Sequence, residues 1–139
     1  MYKCLLLAFM AMALVSCKKD KDSPEGLKDQ MIGRWNYVSL VGNEYQENGQ
    51  VIPASNSIYT AKAGDYMEFR KDGTYIKSLG GNMSSGTYTT SASGRFNINA
   101  GLPNPCQVVA ITDKTFSYVL EGPKRMGQTY IEYTHNFKK

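Results

Sequence analysis

The chain has 139 residues, a formal net charge of +4 and 42% hydrophobic residues. That length holds one domain and not comfortably two. The charge is too small, and the basic residues too scattered, to imply a nucleic-acid partner.

The chain opens with Lys3 and an unbroken apolar run, Cys4–Val15. At about 1.5 Å per residue, a helix of that length falls well short of a hydrocarbon core roughly 30 Å thick. It suits the apolar core of a signal peptide instead. The residues that follow, Leu14-Val15-Ser16-Cys17, resemble the lipobox of bacterial lipoproteins: aliphatic, small or β-branched, small, then cysteine. That resemblance implies residues 1–16 as a signal peptide, cleavage before Cys17, and lipid on the Cys17 sulfur and its new amino group. The mature protein would then be anchored at the cell envelope of a bacterium, at an outer membrane, facing the periplasm or the cell surface. The lipid, including the palmitate type of acyl chain, would be its one non-protein group, with no further cofactor.

The three cysteines sort accordingly. Cys4 leaves with the signal and Cys17 carries lipid. Cys106 is left without a disulfide partner, and is expected as a small half-buried residue in or beside a strand. Residues 17–30 read as lipidated cysteine and flexible tether. The stretch Lys18–Lys28 is charged, holds Pro24 and Gly26, and offers one apolar residue, so it has little to bury. In Bacteroidetes lipoproteins, charged residues after the cysteine resemble a surface-export signal, and Lys18-Lys19-Asp20-Lys21-Asp22 is a less acidic version.

From Met31 to Lys139 the pattern is that of one all-β domain. Runs rich in Tyr, Phe, Val, Ile and Thr alternate with Gly, Asn, Asp and Pro. The expected strands are Trp35–Val41, Tyr66–Arg70, Thr74–Leu79, Gly86–Thr90, Arg95–Asn99, Gln107–Ile111, Phe116–Leu120 and Thr129–His135. Short links such as Asp72-Gly73, Gly80-Gly81, Ser91–Gly94 and Thr112–Lys114 tolerate tight hairpin turns, so the order is an antiparallel up-and-down meander. Met67 and Phe69 share one parity, as do Phe96 with Ile98, and Phe116, Tyr118 with Leu120, which gives each strand one dry face. About eight such strands can close into a barrel that holds its own side chains or one small ligand. The excursion Gly42–Gly64 fits less well. It offers a turn at Asn48-Gly49 and is irregular over Pro53–Ser57, so it is expected to cover a barrel mouth.

Gly33-Arg34-Trp35, Met67-Glu68-Phe69 with Lys71–Tyr75, Gly86-Thr87-Tyr88, Val109–Asp113, Phe116-Ser117-Tyr118 and a final aromatic strand follow in order. In this order the chain resembles the lipocalin-like domains of small Bacteroidetes lipoproteins. The resemblance implies a β-barrel able to hold a small apolar ligand. It also implies that Trp35 plugs the closed end under a basic side chain from the last strand. Thr129–His135 carries no arginine for that role.

The chemistry-bearing residues are few. One His and one free Cys in the mature chain do not make a transition-metal site. No serine sits in a nucleophile elbow with His135, which is expected at a strand edge facing water. Glu68 and Glu132 would form an acid/base pair only by meeting across strands, and Glu68 lies on the polar parity. Gly80-Gly81 precedes no helix and cradles no phosphate. No catalytic residue is therefore assigned and the protein is not expected to be an enzyme. The ten tyrosines, five phenylalanines and single tryptophan carry what signal there is. Phe69, Tyr75, Tyr88, Phe96, Phe116 and Tyr118 are the candidates to line the interior around a small hydrophobic or amphipathic ligand. The other reading is a solid, monomeric barrel that docks an envelope protein through its loops, the excursion above all.

Overall fold

A computed structural model describes residues 23–98, 105–124 and 126–139. The expected signal peptide, Cys17 and residues 18–22 lie outside the described residues. Among the described residues nine strands follow one short helix: β1 (Gly33–Tyr45), β2 (Ser57–Thr60), β3 (Tyr66–Phe69), β4 (Thr74–Leu79), β5 (Asn82–Ser91), β6 (Arg95–Ile98), β7 (Cys106–Ile111), β8 (Thr115–Glu121) and β9 (Tyr130–Lys138). Every pairing is antiparallel, and each strand from β3 to β9 pairs with the next. Pairing of β1 with both β3 and β9 closes the ring. The result is the expected all-β, antiparallel barrel of eight strands, which leaves no open seam between first and last strand.

Turn chemistry makes the meander. Between β3 and β4, Gly73 has φ 85° and the Asp72 carboxylate accepts from the Thr74 amide at 2.9 Å and its hydroxyl at 2.7 Å. Gly80 and Gly81 both have positive φ and form the two-residue link in which Leu79 pairs with Asn82. Such a turn needs left-handed dihedrals at both positions, which glycine adopts without penalty.

Three elements depart from the sequence expectation. The tether does not run to residue 30: Pro24–Met31 is a helix, α1. The Ser23 hydroxyl accepts from the Gly26 amide at 3.1 Å, and Pro24 sits where a missing N–H costs nothing. Leu27 and Met31, one helical turn apart, are both buried. At eight residues the helix is too short to show as a periodic stripe, but tertiary burial holds it. The domain therefore begins at α1 rather than at Met31.

Second, the excursion is more regular than expected. β1 continues to Tyr45, and the Asn48-Gly49 turn brings Val51 back to bridge Tyr45. The chain then returns as β2, which pairs with Ser39–Gly42 of β1. Asp65 clips the return. Its carboxylate accepts from Tyr59 Oη at 2.8 Å, from the Lys62 amide at 2.8 Å and from the Gly80 amide at 2.9 Å. Those donors hold the Asp65 carboxyl below its ordinary pKa. The excursion is thus tied to the rim through β2 and the β4–β5 turn.

Third, the last strand runs to Lys138 instead of ending at His135. His135 is consequently interior to a strand and shares the parity of Phe137. It is buried, at 7% exposure, and not at a wet edge.

α1 lies across the end at which β1 begins. Trp35 Nε1 donates to the Met31 carbonyl at 2.7 Å, and the Trp35 ring is fully buried. The basic residue over it is Lys139, just beyond β9, whose ammonium lies 4.4 Å from the ring centroid. A cation over an aromatic face is attracted by the ring's quadrupole.

Candidate functional site

Trp35 and Tyr37 point inward from the start of β1. The register with β9 then slips between Tyr37 and Ser39. Val38 is the extra residue of a bulge, which bends the strand and moves the inward set to Leu40 and Gly42. A second slip, between Val108 and Ala110 of β7, does the same on the opposite side. Beside α1 the inward side chains are buried, and toward the other end Leu40, Leu79, Ile98 and Leu120 are half-buried; these are the closed and the open half of the barrel.

The closed half is filled by rings. Phe69 meets Tyr88 at 5.0 Å, Phe96 at 5.9 Å and Phe116 at 6.0 Å between centroids, each edge to face. Phe116 also meets Trp35 at 5.4 Å and Phe137 at 5.5 Å. Phe96 meets Tyr118 edge to face at 5.0 Å, and Phe69 lies 6.5 Å from Tyr75. All six side chains read from the sequence as interior are indeed inside and buried. They pack on one another, so they make a floor rather than the wall of a void. Tyr88 is further committed, since its hydroxyl donates to the Arg70 carbonyl at 2.8 Å.

Above that floor lies a band of polar groups. Tyr37 Oη sits 3.2 Å from His135 Nδ1. Tyr118 Oη also approaches the Met67 sulfur at 3.8 Å, while the His135 ring stacks on Tyr118 at 4.4 Å. Cys106 faces the same space, fully buried and reduced. Burial pushes both phenols up and the Cys106 thiol up to about 12. Burial, helped by the positive charge of Lys77, pushes His135 down to about 3. The band is therefore uncharged at neutral pH: protonated phenols, a thiol rather than a thiolate, and a neutral imidazole.

Lys77 itself belongs to this interior. It pairs directly with buried Met67, so the two side chains share a face, and it alternates with Tyr75 and Leu79 on β4. It is half-buried. Toward the mouth the inward positions Leu40, Leu79, Ile98, Leu120 and Tyr133 are half-buried. The Tyr133 ring lies against Gly42, where an added Cβ would come within 3.1 Å of it.

Sequence reasoning placed Met67 on the dry parity with Phe69 but missed Tyr37, Lys77 and His135 as interior groups. Extending the two-residue period from Trp35, Tyr75 and Phe137 finds all three. Glu68 and Glu132 do not meet: Glu68 pairs across β1 with Arg34, and Glu132 pairs with Glu121. Glu68 forms an ion pair with Arg70 at 3.1 Å on the outside. A shallow outer groove of about 420 Å³ lies beside Glu132, lined also by Arg95, Gln107, Val109, Val119 and Glu121.

No family model and no curated protein matches the sequence. Among solved structures the chain is similar to a deswapped triple mutant of bovine odorant-binding protein. The two share 19% identity, with a TM-score of 0.44, over 79% of this chain and 74% of that one.

Proposed function

We propose that this protein holds a small amphipathic ligand in the open half of its barrel, at a bacterial envelope to which lipid on Cys17 ties it. The observation that carries the ligand reading is the layering of the interior. A neutral polar band around Tyr37, Tyr118 and His135 lies under half-buried apolar side chains at the mouth. Apolar surface with a few convergent polar groups is what small-molecule sites are made of.

The anchor gives that mouth a direction. Ser23 begins α1 at the closed end, and the six residue steps from Cys17 to Ser23 reach at most about 20 Å. Lipid on Cys17 would hold the closed end against the membrane and turn the mouth away from it. A single acyl chain holds a protein only reversibly, whereas several hold it durably.

Native mass spectrometry of protein purified from its own host tests the ligand reading. A retained small molecule is expected, and its absence from gently purified protein counts against a carrier. Cys17→Ser tests the anchor: the variant is expected in the soluble fraction and free of radiolabelled palmitate, and label in the variant would overturn the assignment. One observation favours the docking reading instead. The excursion leaves Val51 at 53% and Ile58 at 65% exposure, and a protein that co-purifies in that same spectrum would favour it.

A further inference from the structure

Along one stretch of the rim the ring of strands stops short. β3 and β2 lie one after the other along the same edge of β1, β3 on Gly33–Asn36 and β2 on Ser39–Gly42. β4 lines the far side of β3 but ends at Leu79. There the Gly80-Gly81 turn sends the chain back, and the Gly80 amide donates to the Asp65 carboxylate at 2.9 Å. Above that turn β2 has β1 on one side and no described strand on the other. The bonding of β2 to β1 fixes what the free edge offers. The Ala61 amide donates to the Val38 carbonyl at 3.2 Å. By the alternation of an antiparallel ladder, the backbone groups of Ala61, Tyr59 and Ser57 then face β1, and those of Ile58 and Thr60 face away from it. Ile58 and Thr60 each present an N–H and a C=O that no described backbone group engages.

Donors and acceptors in a two-residue repeat are complementary to the backbone of another strand. Natural edges are commonly guarded by lysine, proline or a bulge. Ser57-Ile58-Tyr59-Thr60 carries no charge and no proline. The outward side chain of Ile58 is 65% exposed, and Val51 of the same excursion is 53% exposed. A second copy of this chain fits the edge poorly. Antiparallel pairing of β2 with its own copy needs a two-fold axis normal to the sheet, which turns the second barrel upside down. Two barrels so related could not both rest their closed ends on one membrane. We propose that β2 is completed by strand addition: an extended segment of another protein, apolar or β-branched where it crosses Ile58, pairs with Ile58 and Thr60 and closes the rim above the β4–β5 turn. This rests on the docking reading of the excursion and adds that the partner is recognised by its backbone.

The test follows backbone amides by NMR in the full chain, with Cys17→Ser to keep it in solution. In the protein alone, the Tyr59 and Ala61 amides are expected to exchange slowly and those of Ile58 and Thr60 fast. The probe is a short capped peptide of alternating threonine and valine. Its control is the depsipeptide of the same side chains, in which ester oxygens replace the N–H groups. The peptide is expected to shift and protect the Ile58 and Thr60 amides, and the depsipeptide to bind at least about tenfold more weakly, because it cannot donate to the edge. Thr60→Pro removes an outward N–H and no bond to β1, and is expected to weaken the peptide about fivefold. The depsipeptide comparison needs no variant, so the test survives a Thr60→Pro that fails to fold. Slow exchange at Ile58 and Thr60 in the protein alone overturns the proposal, since the edge would already be covered. Equal binding of peptide and depsipeptide near Ile58 overturns strand addition and leaves the docking reading standing. No shift around Ile58 and Thr60 with either probe overturns both.

Discussion

The two halves of the barrel are built from the same eight strands and differ in what their inner faces carry. The closed half is a solid of aromatic rings, roofed by α1 and centred on Phe116, which touches Trp35, Phe69, Phe96, Tyr118 and Phe137. The open half holds aliphatic side chains left half-buried, the half-buried Lys77, and Tyr37 and His135 hydrogen-bonded to each other. Stability is concentrated where the rings interlock. The open half holds the groups that a fold designed only for stability would exclude. A barrel that were solid throughout would show no such gradient, so the contrast can be broken by measuring it.

Strand β8 crosses both halves, and two substitutions on its inward face sample them. Phe116→Ala removes a fully buried ring that its packed neighbours cannot replace. It is expected to cost about 3–5 kcal/mol, most of a typical small domain's stability. Leu120→Ala, four residues on and half-exposed, is expected to cost about 1–2 kcal/mol, because less surface leaves the water and the site is already open. Urea denaturation of both variants gives the comparison directly. Equal costs would mean that the open half is as tightly packed as the closed one, and the ligand reading would lose its ground.

His135 marks the boundary between the halves and gives it a pH dependence. Its pKa in the folded protein is about 3, against about 6.5 unfolded. Between those values the unfolded chain binds a proton that the folded one does not. Stability is therefore complete above about pH 6.5 and falls as pH drops toward 3, by up to about 1.4 kcal/mol per pH unit. Between pH 7 and pH 5 the expected loss is about 2 kcal/mol. His135→Phe keeps a ring against Tyr118 and removes the titrating group. Its melting temperature is expected to fall less steeply over that interval than that of the native protein. Parallel curves would show that the histidine is reached by water and that the open half extends deeper than the polar band.

Much of the barrel was legible in the sequence because its logic is local. Phe96 with Ile98, and Phe116 with Tyr118 and Leu120, alternate cleanly. The hairpins follow from Asp72-Gly73 and Gly80-Gly81, so eight strands and six interior residues could be read in order. The open half was less legible because two of its features are decided by neighbours. The bulge at Val38 shifts the inward parity of β1 without any mark in the residues around it. The inward turn of Lys77 reads as an outward charge unless Tyr75 and Leu79 fix its parity. β2 was missed because Ser57–Thr60 is four residues long, and its pairing with Ser39–Gly42 is stabilised by the distant Asp65. α1 was missed because two apolar residues among charges have no meaning until the barrel end offers them a place.

α1 also supplies the finest test of the division. The Ser23 hydroxyl satisfies the Gly26 amide at 3.1 Å, and Pro24 brings no N–H to the first turn, so the cap serves few donors. Ser23→Ala is expected to cost about 0.5–1 kcal/mol. The loss should stay local, since Leu27 and Met31 still anchor the helix through the core. Two readouts then separate the halves. Amide exchange should quicken in α1, and Trp35 emission should shift to the red as the helix that covers the ring opens more often. The affinity for an alkyl probe should stay unchanged, because the mouth lies at the other end of the barrel. If ligand affinity falls together with helix protection, the two ends are coupled through the aromatic floor. The closed half would then be the part of the binding site that holds the mouth in shape.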